Sequence, residues 1–337
     1  MTAGRTASAP APTQPTSSPR VSVVIPAYNA AATLSETLAS VFAQTFTDYE
    51  VVVVDDGSTD STREVLARYH DRVRVLSKMN EGKPASTRNL GVRNARGDYV
   101  AFLDADDRWR PEKLELQVAV LDQNPAVGLV YTGAVVIDAE GRELKVRSCS
   151  PEARGRIDRL LSVRNVMVGS SVVARRRAIE EAGGFDENLT SIENWDLWVR
   201  IARRWSVEFV DQPLTLYRVH AGNRSADVEL RKRNIFRIIA KNHDPRDRSR
   251  EARRLRRDAY FNAYYYVLGM GYFERLEMAP AASALWRAFC LKPQVEILRL
   301  LGLALLGRRG FMALKALRGR LGRDLGPGDP VHEGSRR

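Results

Sequence analysis

Cysteine and long hydrophobic runs are scarce in this sequence. Two of its 337 residues are cysteines, Cys149 and Cys290, and they stand in no metal-ligand spacing. This excludes a disulfide-stapled scaffold and a cysteine-based zinc module, and it suits a reducing compartment. The only candidate membrane stretch is Leu300–Leu306, which Arg299 and Arg308 flank. It falls well short of the roughly 20 apolar residues of a membrane-spanning helix, so we expect no spanning segment.

Glycine-rich nucleotide motifs are also missing. No G-x-G-x-x-G follows the first predicted strand and no G-x-x-x-x-G-K-S/T occurs, so a dinucleotide-binding or P-loop protein is not indicated. Instead, short β-branched strands alternate with helical segments from Val21 to about Val135. The strands are predicted at 21–25, 50–55, 73–77, 99–104 and 127–132. This alternation predicts an α/β fold with a Rossmann-like, mostly parallel sheet and helices on both faces.

The pattern changes after the first 135 residues and again near residue 225. A hairpin is predicted at 137–144 and two short strands near 209–211 and at 214–219, and from about 227 the signal is helical and rich in arginine. Residues 231–337 carry 24 Lys and Arg against 10 Asp and Glu, whereas the rest of the chain is nearly neutral. We predict a disordered leader at 1–20, a main domain at 21–225 with halves 21–135 and 136–225, a basic helical region at 226–325 and a disordered tail at 326–337.

Polar side chains follow three of the predicted strands. They are Tyr28 and Asn29, with Pro26 before them, after the first strand, Asp55 after the second, and Asp104, Asp106 and Asp107 after the fourth. The carboxyl ends of parallel strands form one rim, so these groups should converge there. Three neighbouring carboxylates repel one another unless a cation or sugar hydroxyls compensate them, and such oxygen ligands suit Mg²⁺ or Mn²⁺ on a diphosphate. A plain turn ahead of the next helix is the alternative.

Six segments, in order along the chain, carry a family resemblance. They are VSVVIPAYNAAATLSETLASVFAQTF, VVVVDDGSTDST, NEGKPASTRNLGVRNARGDYVAFLDADD, GGFDE, ENWDLWVRIA and LYRVH. Over about 21–225 the chain resembles a bacterial-type family 2 glycosyltransferase of GT-A fold. The resemblance implies inverting transfer of a sugar from a nucleotide diphosphate donor, usually assisted by a divalent metal. It does not identify the sugar.

Donor and metal roles follow from the resemblance. Asp55 is expected to accept the imide N–H of uracil or thymine, which favours a UDP-sugar, and Asp106 to bind Mn²⁺ or Mg²⁺. His220 is expected to add a metal or diphosphate contact, although a lone histidine is more often structural. The nucleotide-binding set is Pro26, Tyr28, Asn29, Asp55, Arg88 and Asp104. The diphosphate or support set is Asp107, which buttresses the loop, Arg218, which neutralises phosphate or pairs with an acid, and Lys83, the weakest candidate.

The catalytic base departs from the family pattern. Family members commonly have Glu-Asp-Trp-Asp, whose first Asp is the base, whereas this chain has Glu193, Asn194, Trp195 and Asp196. An amide cannot accept the acceptor's proton. Glu193, slightly favoured, or Asp196 serves instead, or transfer is slow or absent. Because the two carboxylates are three residues apart, they can share a helix face. Trp195 and Gly184 are expected to line the acceptor or donor sugar, or else to be structural.

The basic C-terminal region suggests a surface of contact. Residues 297–323 hold seven Lys and Arg and no acid, interleaved with apolar residues, which predicts amphipathic helices that suit an anionic membrane. A glycan or polyprenyl-diphosphate-linked acceptor would fit an enzyme in the cytoplasm or peripheral on the inner membrane face. The alternative to membrane contact is a solvated helical bundle. An aromatic stripe at 260–266 suggests a core or a surface for self-association into a homo-oligomer. Nucleic-acid binding is not favoured.

Two rival functions use the same features. A sugar nucleotidyltransferase would share the nucleotide site, but it normally has a glycine-rich loop and a basic pair after the first strand, where this chain has Pro26 to Asn29. A non-catalytic nucleotide-sugar-binding scaffold is suggested by Asn194. The favoured function is a metal-dependent glycosyltransferase of cell-surface glycan synthesis.

Overall fold

A nine-stranded mixed sheet forms the centre of the described chain. A computed structural model describes residues 18–220, 222 and 227–319. The strands lie in the order β3-β2-β1-β4-β8-β6-β9-β5, and β7 pairs with β6. Six of them, β1–β4, β6 and β9, run in one direction. The bounds are β1 Val21–Ala27, β2 Tyr49–Asp55, β3 Arg74–Ser77, β4 Tyr99–Phe102, β5 Arg108–Trp109, β6 Val127–Ile137, β7 Glu143–Arg147, β8 Val173–Arg175 and β9 Ser206–Arg218.

Helices cover both faces of this sheet, as the sequence predicts. Successive side chains of a strand point to opposite faces, so Val23 and Ile25 of β1 pack with α1 and α4 while Val24 packs with α3. The helices of this part are α1 Leu34–Phe42, α2 Thr62–Ala67, α3 Pro84–Asn94, α4 Lys113–Gln123, α5 Asp158–Val163, α6 Arg176–Glu181 and α7 Glu193–Ala202. The fold class predicted from strand–helix alternation is confirmed.

Two details differ from the sequence prediction. The short strands β5 and β8 were not predicted, and the two strands expected near 209–211 and 214–219 are one strand, β9, whose pairing with β6 shifts register beside Gly133 and Pro213. Helix α3 also lies unusually close to β1. A Cβ added to Gly91 would stand 2.4 Å from a methyl of Val24, so only glycine permits this approach.

The C-terminal helices divide between two cores. They are α8 Val228–Asn242, α9 Arg250–Asn262, α10 Met270–Glu274, α11 Met278–Leu291, α12 Val295–Leu305 and α13 Gly307–Gly319, with a π-helical segment Ala263–Gly269 between α9 and α10. Ile235, Ile238 and Ile239 of α8 belong to the main-domain core, whereas α10–α12 build a separate core around Leu285 and Ile297. The predicted boundary near residue 225 falls outside the described residues, but α8 packs as part of the main domain.

None of the described helices combines the length and the apolar character needed to cross a membrane. The structure describes residues 18–20 of the predicted leader, where no helix or strand is assigned, and nothing of residues 1–17. The predicted tail, 326–337, also lies outside the described residues.

Candidate active site

The carboxyl ends of β1, β2 and β4, with Asp55, Asp104 and Asp106, form a rim that we call the donor rim. Its first loop is fixed by Asn29, which has a left-handed backbone (φ 50°). The Asn29 side-chain oxygen accepts a hydrogen bond from the Thr59 backbone amide at 2.8 Å. The backbone amide of Asn29 donates to Ser58 Oγ at 3.0 Å. Asn29 therefore ties the first loop to the second. Beside it, Pro26 is half-buried and the Tyr28 ring is 48% exposed.

Asp55 ends β2 and is fully buried. One carboxylate oxygen accepts from the Ser58 amide at 3.0 Å and the other from Arg63 Nε at 2.8 Å. Burial alone would raise the pKa of Asp55, but the hydrogen bonds from Ser58 and Arg63 outweigh it and hold the pKa below its ordinary value. Asp55 is thus an ionised acceptor whose two oxygens already have partners. Arg63 directly follows the VVVVDDGSTDST segment, and its contact with Asp55 was not predicted.

The three carboxylates after β4 have three different environments. Asp104 accepts from Arg88 Nη2 at 2.5 Å, and Asp106 faces His220. Asp107 is fully buried and accepts from the Arg218 amide at 2.8 Å and from Ser170 Oγ. Burial and the neighbouring Asp104 raise the pKa of Asp106, and burial with both neighbours raises that of Asp107 well above the ordinary value.

Asp106 and His220 are the residues that could hold a divalent metal. Asp106 Oδ2 lies 3.0 Å from His220 Nε2, while His220 Nδ1 accepts from the Gly222 amide at 3.1 Å. Within the described residues, no three His, Cys, Asp or Glu side chains come together to hold an ion. Mg²⁺ and similar ions commonly take one or two protein ligands and complete their shell with substrate phosphates. The donor set therefore fits a metal bound together with a diphosphate.

Arg218 supports the acidic loop from behind. Its guanidinium donates to the Asp106 carbonyl at 2.9 Å, to the Ala139 carbonyl at 2.6 Å and to Glu36 Oε2 at 2.7 Å, and the side chain is 3% exposed. These contacts pair Arg218 with Glu36 and leave the guanidinium enclosed by protein. Lys83, by contrast, is largely exposed, and its amine lies 3.9 Å from Glu81.

Arg88 connects the donor rim to helix α7. Its guanidinium lies between Asp104 and Glu193 and contacts both carboxylates. Burial alone would lower the pKa of Arg88, but the charges of Asp104 and Glu193 raise it above the ordinary value. Glu193 is almost completely buried, and it follows Ile192, whose φ of 54° is unfavourable for a β-branched residue. Such a backbone conformation costs on the order of 1–3 kcal/mol. It lies directly before Glu193, the first residue of α7, which contacts Arg88 at the rim.

Asp196 does not share this environment. It is fully buried and accepts from Arg200 Nη2 at 2.7 Å and from Lys241 Nζ at 3.0 Å, and Lys241 also pairs with Asp186. The two carboxylates of the motif, which their spacing allows on one helix face, therefore have different partners. Glu193 contacts the donor rim, whereas Asp196 ties α7 to α8. Arg200 stands in the same segment, four residues after Asp196, but Lys241 lies 45 residues away and carries no motif signal.

The two residues predicted to line the sugar, Trp195 and Gly184, lie in different environments. Trp195 is buried, and its indole N–H donates to the Leu161 carbonyl at 2.6 Å, so its ring is part of the core. Gly184 (φ 69°) lies in a surface depression of about 580 Å³ beside Asn89. A Cβ on Gly169 would stand 2.6 Å from the Asn194 amide nitrogen.

Asn194 consequently borders the rim. The turn that it touches, Gly169–Ser171, carries Ser170, whose hydroxyl accepts from the Asp104 amide at 3.0 Å and contacts Asp107. Position 194 thus lies beside the turn whose Ser170 contacts the acidic loop. In this chain an amide occupies that place.

Comparison with known proteins identifies the family of the chain. The family described as "Glycosyl transferase family 2" matches residues 22–183. A glycosyltransferase of Rickettsia typhi is 34% identical over 212 residues, which are 61% of this chain and 66% of that protein. The putative teichuronic acid biosynthesis glycosyltransferase TuaG of Bacillus subtilis is 31% identical over 55% of this chain and 73% of that protein. The chain thus spans just under two thirds of the first relative's length.

Two solved structures share the fold. Residues 1–349 of S. aureus TarS in complex with UDP-GlcNAc superpose with a TM-score of 0.59 at 20% identity, covering 91% of this chain and 93% of that one. A mannosyltransferase of Pyrobaculum calidifontis in complex with GDP-Man and Mn²⁺ gives 0.58 at 21% identity, covering 92% and 89%. These likenesses show the GT-A fold. With the sequence matches, they confirm the resemblance: this chain belongs to glycosyltransferase family 2.

Proposed function

We propose that this protein transfers a sugar, with inversion, from a nucleotide diphosphate donor to a glycan or polyprenyl-diphosphate-linked acceptor in cell-surface polysaccharide synthesis. The observation that carries the proposal is the contact of Arg88 with both Asp104 and Glu193, which joins a nucleotide-binding rim to a buried carboxylate on α7. The name of TuaG supports a cell-surface polymer, and the UDP-GlcNAc complex of TarS supports a UDP-sugar.

Donor binding would use the open side of the rim. Tyr28 offers an exposed ring for the base, and the ionised Asp55 offers an acceptor for an imide N–H once a Ser58 or Arg63 contact yields. Arg88 and Lys83 supply positive charge near the diphosphate. Asp106 with His220 would hold Mn²⁺ or Mg²⁺, as the Mn²⁺ complex of the Pyrobaculum enzyme supports. When bound, that ion offsets the charge that develops on the leaving diphosphate.

Glu193 is the proposed base. Its carboxylate accepts the proton of the acceptor hydroxyl while the hydroxyl oxygen forms a bond to the anomeric carbon. The bond from that carbon to the diphosphate oxygen breaks, and the nucleotide diphosphate leaves with the electron pair. Arg88 keeps Glu193 oriented toward the rim, and Asp196 holds α7 in place through Arg200 and Lys241. Asn194 borders the reaction site without taking the proton.

Calorimetry with UDP, GDP and dTDP, each with and without Mn²⁺, tests the donor site. We expect metal-dependent binding of one nucleotide, strongest for UDP, and an Asp106→Ala variant that remains folded but loses both the metal dependence and transfer. Arg110→Ala, which removes an exposed ion pair with Glu143, is a matched control and should bind as the wild type does. Full transfer by Asp106→Ala would refute the metal assignment.

A nucleotide-sugar-binding scaffold is the second candidate, because an amide stands where the family base is expected. It predicts nucleotide binding without turnover across acceptors. An Asn194→Asp variant separates the two functions. If the wild type is a scaffold that lacks a base, it shows no transfer and the variant gains it. If the wild type uses Glu193 as the base, it already transfers sugar. Release of pyrophosphate from a sugar phosphate and a nucleoside triphosphate would instead identify a nucleotidyltransferase.

A further inference from the structure

Helix α12 has two apolar faces, and only one of them is buried. Ile297, Leu301 and Ala304, spaced by four and three residues, point into the core that α12 shares with α11. A second set with helical spacing faces solvent: Val295, Leu298, Gly302, Leu305 and Leu306. We call this second set the α12 stripe. Leu305 is 72% exposed and Val295 62% exposed, which is unusual for residues of their size.

Positive charge lies at the C-terminal end of the stripe. Gly307, with φ 68°, turns the chain directly after Leu306, and the next two residues, Arg308 and Arg309, are both exposed. Met312, on the first turns of α13, is a further exposed apolar residue. In the described part of the chain, neither Arg308 nor Arg309 forms an ion pair. Two exposed leucines and two arginines thus stand together at one corner.

We infer that the α12 stripe and the adjoining Arg308–Arg309 pair are the surface through which this protein lies on an anionic membrane. Leucines at such a corner can enter the interfacial layer while arginines meet anionic headgroups, which is the pattern of helices that lie in the membrane plane. The 11 residues of α12 span only about 16 Å, too short to cross the bilayer and suited to lying on it. The surface is inferred from α12 itself, and only the reason for membrane contact, access to a lipid-linked acceptor, rests on the proposed function.

Charge distinguishes this occupant from a second copy of the chain. In a symmetric dimer the same patch meets itself, so Arg308 and Arg309 of both copies would be brought together, while the one acid of α12, Glu296, already pairs with Arg299 at 3.3 Å. The region from 231 to 337 is strongly basic, which increases that repulsion. A nucleic acid would satisfy the arginines but leave the leucines against phosphate and water. An anionic lipid surface satisfies both groups.

Co-sedimentation of the full chain with vesicles tests the inference. Vesicles of phosphatidylcholine with about 30 mol% phosphatidylglycerol provide the anionic surface, and pure phosphatidylcholine provides the neutral one. We expect binding to the first and much weaker binding to the second. The double variant Leu305→Ser/Leu306→Ser should bind anionic vesicles about tenfold more weakly, because two leucines no longer enter the interface. Arg308→Glu/Arg309→Glu should also bind more weakly.

The matched control is Leu144→Ser on β7, which changes an equally exposed leucine outside the C-terminal helices. It should bind vesicles as the wild type does. Calorimetric nucleotide binding in every variant reports whether the donor site is intact, so a failure of the proposed function is distinguishable from a failure of this inference. Wild-type binding by Leu305→Ser/Leu306→Ser would overturn the inference. So would a dimer in sedimentation velocity that this variant dissociates, or preferential binding of RNA that these changes abolish.

Discussion

The donor rim and the C-terminal helices differ in whether their charged side chains are buried and paired. At the rim, the charges of Asp55, Arg88 and Arg218 are buried or nearly buried and each has an opposite charge in contact. On α9, by contrast, Arg253 and Arg254 are exposed, and the described residues give them no acidic partner. Paired, buried charges fix the positions of side chains, whereas exposed, unpaired charges shape the field that a partner meets. The two regions therefore suit chemistry and surface contact respectively.

The most severe test of the rim is Glu193→Gln. An amide keeps the size and a hydrogen bond to Arg88 but cannot take a proton, so we expect transfer to fall about 10²- to 10⁴-fold while nucleotide binding is retained. Asp196→Asn is the matched control from the same helix. It should lower the free energy of unfolding by about 2–4 kcal/mol, since Arg200 and Lys241 lose their shared anion. Its transfer per folded molecule should stay within a few-fold of wild type. The opposite pattern would make Asp196 the base.

Arg88→Ala should produce the largest loss of stability among the rim variants. Removing the arginine leaves the carboxylates of Asp104 and Glu193 close together and without their shared cation, a change that typically costs about 3–5 kcal/mol. Urea unfolding measures this, and Arg93→Ala, an exposed change five residues further along α3, should stay within about 0.5 kcal/mol of wild type. Equal stability of the two variants would show that the Arg88 contacts do not hold the rim.

A third test uses the pH dependence of stability. The folded-state pKa of Asp55 is lowered, so its contribution is present above its unfolded pKa of about 3.9 and is lost as the pH falls through the folded value. Arg63→Ala should move the folded pKa upward. The variant should therefore be less stable than wild type at pH 7 and should lose less stability on acidification from about pH 5 to pH 3. Parallel pH profiles for the two proteins would contradict this role of Arg63.

Much of the rim could be predicted because its signals are local. The β-branched runs of β1, β2 and β4 predict strands, and parallel strands bring the residues after them to one edge. That reasoning places Asp55, Asp104 and Asp106 together, as the structure does. Strands β5 and β8, of two and three residues, are too short to show a period and form only because neighbouring strands offer them an edge.

The roles of Glu193 and Asp196 could not be separated by such reasoning. Their spacing permits a common face, and what divides them is the position of Arg88 on one side and of Lys241 on the other, 105 and 45 residues away in the chain. The same holds for Trp195, which could be a sugar-facing ring or a core residue until the Leu161 carbonyl was seen to accept its N–H. Tertiary contacts of this kind leave no pattern near the residue they concern.

The smallest expected effect belongs to the other side of the comparison. Arg253 on α9 has Arg250 three residues before it and Arg257 four residues after it, and all three are exposed, so they repel one another. Arg253→Glu turns both unfavourable pairs into favourable ones and should raise the free energy of unfolding by about 0.5–1 kcal/mol at low salt. Because the charges are exposed, the gain should shrink in about 1 M salt, where the Debye length is near 3 Å. A loss of stability at both salt concentrations would mean that these arginines are held by contacts within the protein, and the contrast with the rim would disappear.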